Sequence, residues 1–233
     1  CSSSRRNFAS SSSSSSSHVL EVKDGAKIFY RIHRGGGEGS TATTTPLLMI
    51  NGWTCTSEFW GSLMTNGLYK EPRFLGKDRD VVTYDLRGSG RSDVTQGPYD
   101  ATLLSQDAMS LIEEIAHEGN KFHVLGFSLG GMIAQQLAAA CPEKVSSLVL
   151  CSTTAGGKRM VAAKKDDARA FFGSFRKFDD PESEMKAARS FVTYGLASRN
   201  RFENQSSLVD RLARSYLWSS KCTLEGINAQ FGA

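Results

Sequence analysis

Short apolar runs alternate with amphipathic stretches along the first two thirds of the chain. HVLEV (18–22) and KIFYRIHR (27–34) are short alternating or apolar runs on either side of Asp24-Gly25, which reads as a hairpin of two strands. After a flexible connection, GGGEGSTATTT (35–45), come two runs of strand type: PLLMI (46–50), fully apolar as a buried strand would be, and DVVTYD (80–85). Between them Ser57 to Leu68 can be helical, with Ser57 as N-cap. Leu104, Ala108, Leu111, Ile112 and Ile115 recur at helical spacing. The strand FHVLGF (122–127) follows, then a helix marked by Met132, Ile133, Gln136, Leu137 and Ala140 that ends near Pro142, then VSSLVLC (145–151), again of buried-strand type. Strands alternating with helices at these intervals predict an α/β fold, a doubly wound sheet whose later strands are parallel.

Residues 152–233 differ. KKDDARAFFGSFRKF, ESEMKAARSFV and SSLVDRLARSYLWSS are amphipathic at helical spacing, and no later run matches the strands before Cys151. They predict a helical lid over the sheet. The opposite end is polar: residues 1–17 hold eleven serines, two arginines and no acid, too little apolar surface to offset the entropy of ordering them. The chain therefore divides into a disordered tail (1–17), an α/β core of six strands (18–151) and a helical lid segment (152–233).

Composition narrows the function classes. The formal charge is +4, from 28 Lys and Arg against 24 Asp and Glu, and Arg5 and Arg6 in the tail supply two of those charges. The remainder is close to neutral, so nucleic acid is not an expected partner. No run approaches the roughly eighteen apolar residues of a membrane span. Five widely spaced cysteines without a C-x-x-C pair point to reduced thiols, and a cytoplasmic location is expected. The Arg- and Ser-rich, acid-poor start also has the composition of a mitochondrial or chloroplast transit peptide, with a bland disordered tail as the alternative.

The residues that carry chemistry are Gly126-Phe127-Ser128-Leu129-Gly130. In G-x-S-x-G a serine occupies a tight strand-to-helix turn, small neighbours let the backbone take a strained conformation, and the hydroxyl is left exposed. Here a strand precedes and a helix follows, so helix N–H groups also point at the site.

With these residues the chain resembles the α/β-hydrolase superfamily, from about His18 to its C-terminus. Ile50-Asn51-Gly52-Trp53 is similar to the family's His-Gly-x oxyanion loop, with Asn51 where His is usual. The resemblance implies an oxyanion hole formed by the backbone N–H groups of Leu129 and Trp53. The Asn51 departure leaves backbone donors in place but removes whatever the usual His does to hold the loop. Asp85-Leu86-Arg87-Gly88-Ser89-Gly90-Arg91-Ser92 resembles the family's D-x-R-G-x-G-x-S loop, where Asp85 and Arg87 are expected to shape the loop rather than to act chemically. A phosphate cradle is rejected, because neither G-x-x-x-x-G-K-[ST] nor an early G-x-G-x-x-G is present.

A serine nucleophile needs a base and an orienting acid, and in this family the order is Ser, then Asp or Glu, then His. All four histidines, His18, His33, His117 and His123, precede Ser128. His123 stands about 16 Å up the strand at ~3.3 Å per residue. Ser152, Thr153 and Thr154 stand where some members carry the acid, and Asp166 and Asp167 read as solvated charges in a Lys-rich helix.

The expectation is a chain that stops at the end of the lid, with the acid and His beyond Ala233 on about 60 to 90 further residues, at ~30 per βα unit. Its last strand would then expose an apolar edge. The resemblance implies a serine hydrolase acting on an ester or other acyl bond through Ser128, with no metal or organic cofactor. The small-molecule substrate would carry an apolar acyl or alkyl part, against walls drawn from Trp53, Phe127, Phe171, Phe172, Phe175, Phe191, Tyr194 and Trp218. The alternative is a non-catalytic ligand-binding or interaction protein on a decayed hydrolase scaffold. Oligomeric state is not legible, and peptidase, esterase, lipase, perhydrolase and carbon–carbon hydrolase chemistry share this front half.

Overall fold

A computed structural model describes residues 15–35, 44–61, 79–116, 120–157, 164–165, 180–193 and 206–219, with Gly226 and Ala229. Six strands form one sheet: β1 (Ser15–Glu21), β2 (Lys27–His33), β3 (Leu47–Ile50), β4 (Val81–Tyr84), β5 (Phe122–Phe127) and β6 (Val145–Cys151). Their spatial order is β1-β2-β4-β3-β5-β6. β1 and β2 form the expected antiparallel hairpin and β2 runs antiparallel to β4, while β4, β3, β5 and β6 are mutually parallel.

Four α-helices are described: α1 (Ala101–Ile115), α2 (Leu129–Ala140), α3 (Pro181–Phe191) and α4 (Ser206–Ser219). Asp100 caps α1 by accepting from Leu103 N–H at 2.7 Å, and Asp180 caps α3 by accepting from Ser183 N–H at 2.8 Å.

β3 and β4 are apolar without alternation because both faces of the sheet are covered. On one face Leu48, Ile50, Val82, Tyr84 and Val124 pack against Leu104, Leu111 and Ile112 of α1 and Ile133 and Leu137 of α2. On the other, Leu47, Met49 and Val81 pack against Trp60, with Phe59 and Phe127 alongside. Fully burying side chains of this size stabilises by about 1.5–3 kcal/mol each. α3 and α4 build a second, smaller core from Ala188, Phe191, Val192, Val209, Ala213 and Tyr216. α4 also touches the short 3-10 helix Ser57–Trp60 that follows β3.

Several boundaries differ from the sequence reading. β1 begins at Ser15, three residues before His18, because a backbone ladder to Arg31, Ile32 and His33 needs no apolar side chain. The helix after β3 has Thr56, not Ser57, as its N-cap, and residues 62–78 of that stretch lie outside the described residues. On α2, Gln136 and Ala140 are exposed, whereas Gly130, Ile133, Ala134 and Leu137 are buried, because the helix approaches the sheet along its glycine side. β6 is not buried as its composition suggests. It is the edge of the sheet, and Val149 and Leu150 are 46% and 43% exposed. The stretch KKDDARAFFGSFRKF lies almost wholly outside the described residues.

Candidate active site

The chain order of the parallel strands reverses between β3 and β5: from β3 the chain moves to β4 on one side, and from β5 to β6 on the other. The loops leaving the C-terminal ends of β3 and β5 therefore part to opposite faces, and a crevice opens between them. Register brings the relevant ends level, with Ile50 opposite Gly126 and Phe127 opposite Cys151. Ser128, the Asn51–Thr56 loop and Ser152–Thr154 thus meet at one edge.

Ser128 joins β5 to α2 at φ 54, ψ −119 and is half-buried. Non-glycine residues rarely adopt positive φ, and this one is tied at both peptide groups. Its N–H donates to Cys151 O at 2.9 Å, and its carbonyl accepts from Gly131 N–H at 2.9 Å and from Thr153 Oγ1 at 2.7 Å. Its hydroxyl makes no capping hydrogen bond to α2.

The two glycines of the motif serve close approach. A Cβ on Gly126 would strike the carbonyl of Gly130, and a Cβ on Gly130 would strike the carbonyl of Ile50. Backbones of β3, β5 and α2 are thereby in contact beneath Ser128. Leu129 is the first residue of α2, where helix N–H groups lack an intrahelical acceptor.

Trp53 lies half-buried in the loop after β3, one residue beyond Gly52, which packs against Phe127 and Ser128. Asn51 is completely buried and donates from Nδ2 to Cys55 O at 2.5 Å, and Cys55 N–H donates to Gly52 O at 3.2 Å. The Asn51 side chain holds the loop itself, so the absence of a histidine there leaves no loose turn. Thr54, at φ 62, places Oγ1 3.1 Å from the hydroxyl of Tyr216 on α4.

Asp85 and Arg87 are structural, as expected. The Asp85 carboxylate accepts from Ser57 N–H at 2.7 Å and from Arg91 N–H at 2.9 Å, fixing the loops after β3 and β4 to each other. Arg87, 1% exposed, forks onto both oxygens of Asp107 and reaches Asp24. These hydrogen bonds raise the guanidinium pKa still further.

The described histidines stand apart from Ser128. His123 lies 2.7 Å from Ser147 Oγ near the start of β5, opposite the end that carries the serine. His33 contacts Thr83 Oγ1 at 3.2 Å, where burial and Arg31 lower its pKa. His18 stacks on Tyr30 in the edge hairpin. His117 lies outside the described residues, as do Phe171, Phe172, Phe175 and Tyr194 and the side chain of Trp218. Of the expected pocket walls, Phe191 belongs to the α3–α4 core, stacked on Tyr216 at 4.3 Å. Phe127 stacks on Phe59 at 5.1 Å. Thr153 was noted in the sequence only as standing where some members carry the acid, and Tyr216 was not singled out, because a threonine after a strand and a tyrosine on an amphipathic helix carry no distinguishing pattern.

Residues 45–227 match the family model described as the α/β-hydrolase fold. The chain belongs to the α/β-hydrolase family. Among its relatives is the RutD protein of Azorhizobium caulinodans, 30% identical over 125 residues that cover 54% of this chain and 40% of the relative. Another is a poly(3-hydroxyalkanoate) depolymerase of Ectopseudomonas oleovorans, 27% identical over 152 residues, 65% of this chain and 50% of the relative. The chain thus spans half or less of the length of these relatives. An α/β hydrolase of known structure from Novosphingobium aromaticivorans shares its fold with a TM-score of 0.67 at 21% identity, over 94% of this chain and 72% of that one. No helix among the described residues is long and apolar enough to cross a membrane.

Proposed function

We propose that the protein is a serine hydrolase acting on an ester or other acyl bond, with Ser128 as nucleophile. The observation that carries this reading is the strained backbone of Ser128, φ 54 and ψ −119, at a strand-to-helix junction beside the reversal of strand order. Such strain persists only where its surroundings over-determine it, and here Cys151 O, Gly131 N–H and Thr153 Oγ1 all hold the residue. A polyester depolymerase among the relatives is in keeping with acyl chemistry.

In the proposed reaction Ser128 Oγ attacks the substrate carbonyl carbon while its proton passes to a histidine. The carbonyl oxygen takes the negative charge, facing the N–H groups of Leu129 and Trp53. Collapse breaks the bond to the leaving group, which departs with the proton from the histidine. Water then attacks the acyl-enzyme by the same route and releases Ser128. Neither His18, His33 nor His123 is placed to act as this base, so we assign the histidine and its orienting acid to residues other than the described ones. Trp53 and Phe127, half-buried and adjacent in the chain to Gly52 and Ser128, favour a substrate with an apolar acyl or alkyl part.

A fluorophosphonate probe tests the reading in the full-length protein. Intact mass should show one adduct, located on Ser128 and lost in Ser128→Ala. A full-length protein that stays unlabelled over hours would instead favour a binding protein on this scaffold, consistent with the distance of the described histidines from Ser128.

A further inference from the structure

Thr54 carries a strain that the proposed chemistry of Ser128 does not itself require. It is β-branched, 3% exposed and held at φ 62, a region in which a residue of this shape is a genuine outlier. Its hydroxyl is 3.1 Å from that of Tyr216, which lies 162 residues further along the chain. Tyr216 is anchored in turn. Its ring stacks on Phe191 and sits in the core shared by α3 and α4, and α4 packs against the 3-10 helix that continues from the Thr54 loop. On the near side the same loop is closed by Asn51 Nδ2 on Cys55 O and by Cys55 N–H on Gly52 O. Trp53 therefore lies between two fixed points, Gly52 against Ser128 and Thr54 against α4.

We infer that Thr54 and Tyr216 are positioning residues. The tyrosine hydroxyl holds Thr54 in its left-handed conformation, and docking of α4 thereby directs the Trp53 N–H toward the crevice. This inference rests on the reading of Ser128 as nucleophile and of Trp53 N–H as an oxyanion donor. It makes the helical segment part of the machinery that stabilises charge rather than only a cover. An oxyanion donor acts on the tetrahedral species, so misdirecting it lowers the chemical rate with little effect on initial binding.

Fluorophosphonate kinetics on the full-length protein separate these quantities. The probe binds, then Ser128 Oγ gives its proton to the histidine base and forms a bond to phosphorus as fluoride leaves, and the phosphoryl oxygen occupies the oxyanion position. Tyr216→Phe removes the hydroxyl and keeps the ring. We expect its limiting inactivation rate to fall by about tenfold or more, with the half-saturating probe concentration changed by less than about twofold. Thr54→Val should give the same loss and Thr54→Ser should retain the rate. The double variant Tyr216→Phe/Thr54→Val should be no slower than either single, since both remove one interaction.

Thermal melting checks that each variant is folded, and Thr54→Val tests the bond from its other end if Tyr216→Phe does not fold. An unchanged limiting rate in folded Tyr216→Phe, with labelling still lost in Ser128→Ala, overturns the inference and leaves the hydrolase reading standing. Fully additive losses in the double variant overturn it as well. Absence of labelling in the unsubstituted protein overturns both.

Discussion

Arg87 is the most deeply buried cation described, and its partners differ in character. Asp107 is 3% exposed and receives two hydrogen bonds from the guanidinium, of 2.9 and 2.7 Å. Burial nevertheless pushes its carboxyl pKa upward. Arg87→Met would leave that carboxylate unpaired, at a loss of about 3–5 kcal/mol in urea unfolding of the full-length protein, and removing Asp107 as well should restore much of it. Arg87→Lys should not rescue, because an ammonium cannot fork across both oxygens. Asp24 is 51% exposed, and the hydrogen bond from Arg87 holds its carboxyl below the usual carboxylate range. Its contribution is therefore present above that range and lost as pH falls through the depressed value. Solvent screening limits it to under ~1 kcal/mol. Asp24→Asn should lose no more than this at pH 7, and the difference from the unsubstituted protein should close as pH falls through the lowered value of the Asp24 carboxyl. An undiminished difference at low pH would show that Asp24 acts through something other than its charge.

At the scale of elements, short apolar runs between turn residues located β2, β5 and β6, and helical spacing located the body of α1, to within a few residues. In the stretch after β3 only the N-cap differs, Thr56 in place of Ser57, whose N–H is tied instead by Asp85 from the loop after β4, a contact no local pattern encodes. The Gly126-x-Ser128-x-Gly130 junction was legible for the opposite reason: its glycines meet backbone from β3 and α2, where no other residue fits. Gly130→Ala should destabilise by about 1–3 kcal/mol, since the added methyl meets the immovable Ile50 carbonyl rather than a side chain that can rotate away. A drop in melting temperature accompanied by slower labelling at Ser128 is the expected result. Retained stability would mean that the junction has more room than its backbone contacts allow.

At the scale of the whole molecule the exposed feature is β6. Among the described residues it pairs with β5 alone, and Val149 and Leu150 stand open on a seven-residue strand whose other exposed positions are Ser146 and Ser147. An apolar strand with an unpaired edge is a template for association. A chain ending at Ala233 should self-associate at micromolar concentration in size-exclusion chromatography, and Val149→Lys should shift it toward monomer. A monodisperse monomer with a cooperative thermal transition would count against this.

The sequence by itself determined the α/β alternation, the family, and the Ser128 junction with its flanking glycines, because these depend on spacing between near neighbours. It also assigned Asp85 and Arg87 to the framework, since their loop carries a long, specific pattern. Only the tertiary structure decided that Asn51 holds the loop after β3, that Thr153 grips the Ser128 carbonyl, and that Tyr216 meets Thr54. Each of those contacts joins groups that strand order and helix packing bring together. A hydroxyl or an amide in a sequence gives no sign of which backbone it will reach.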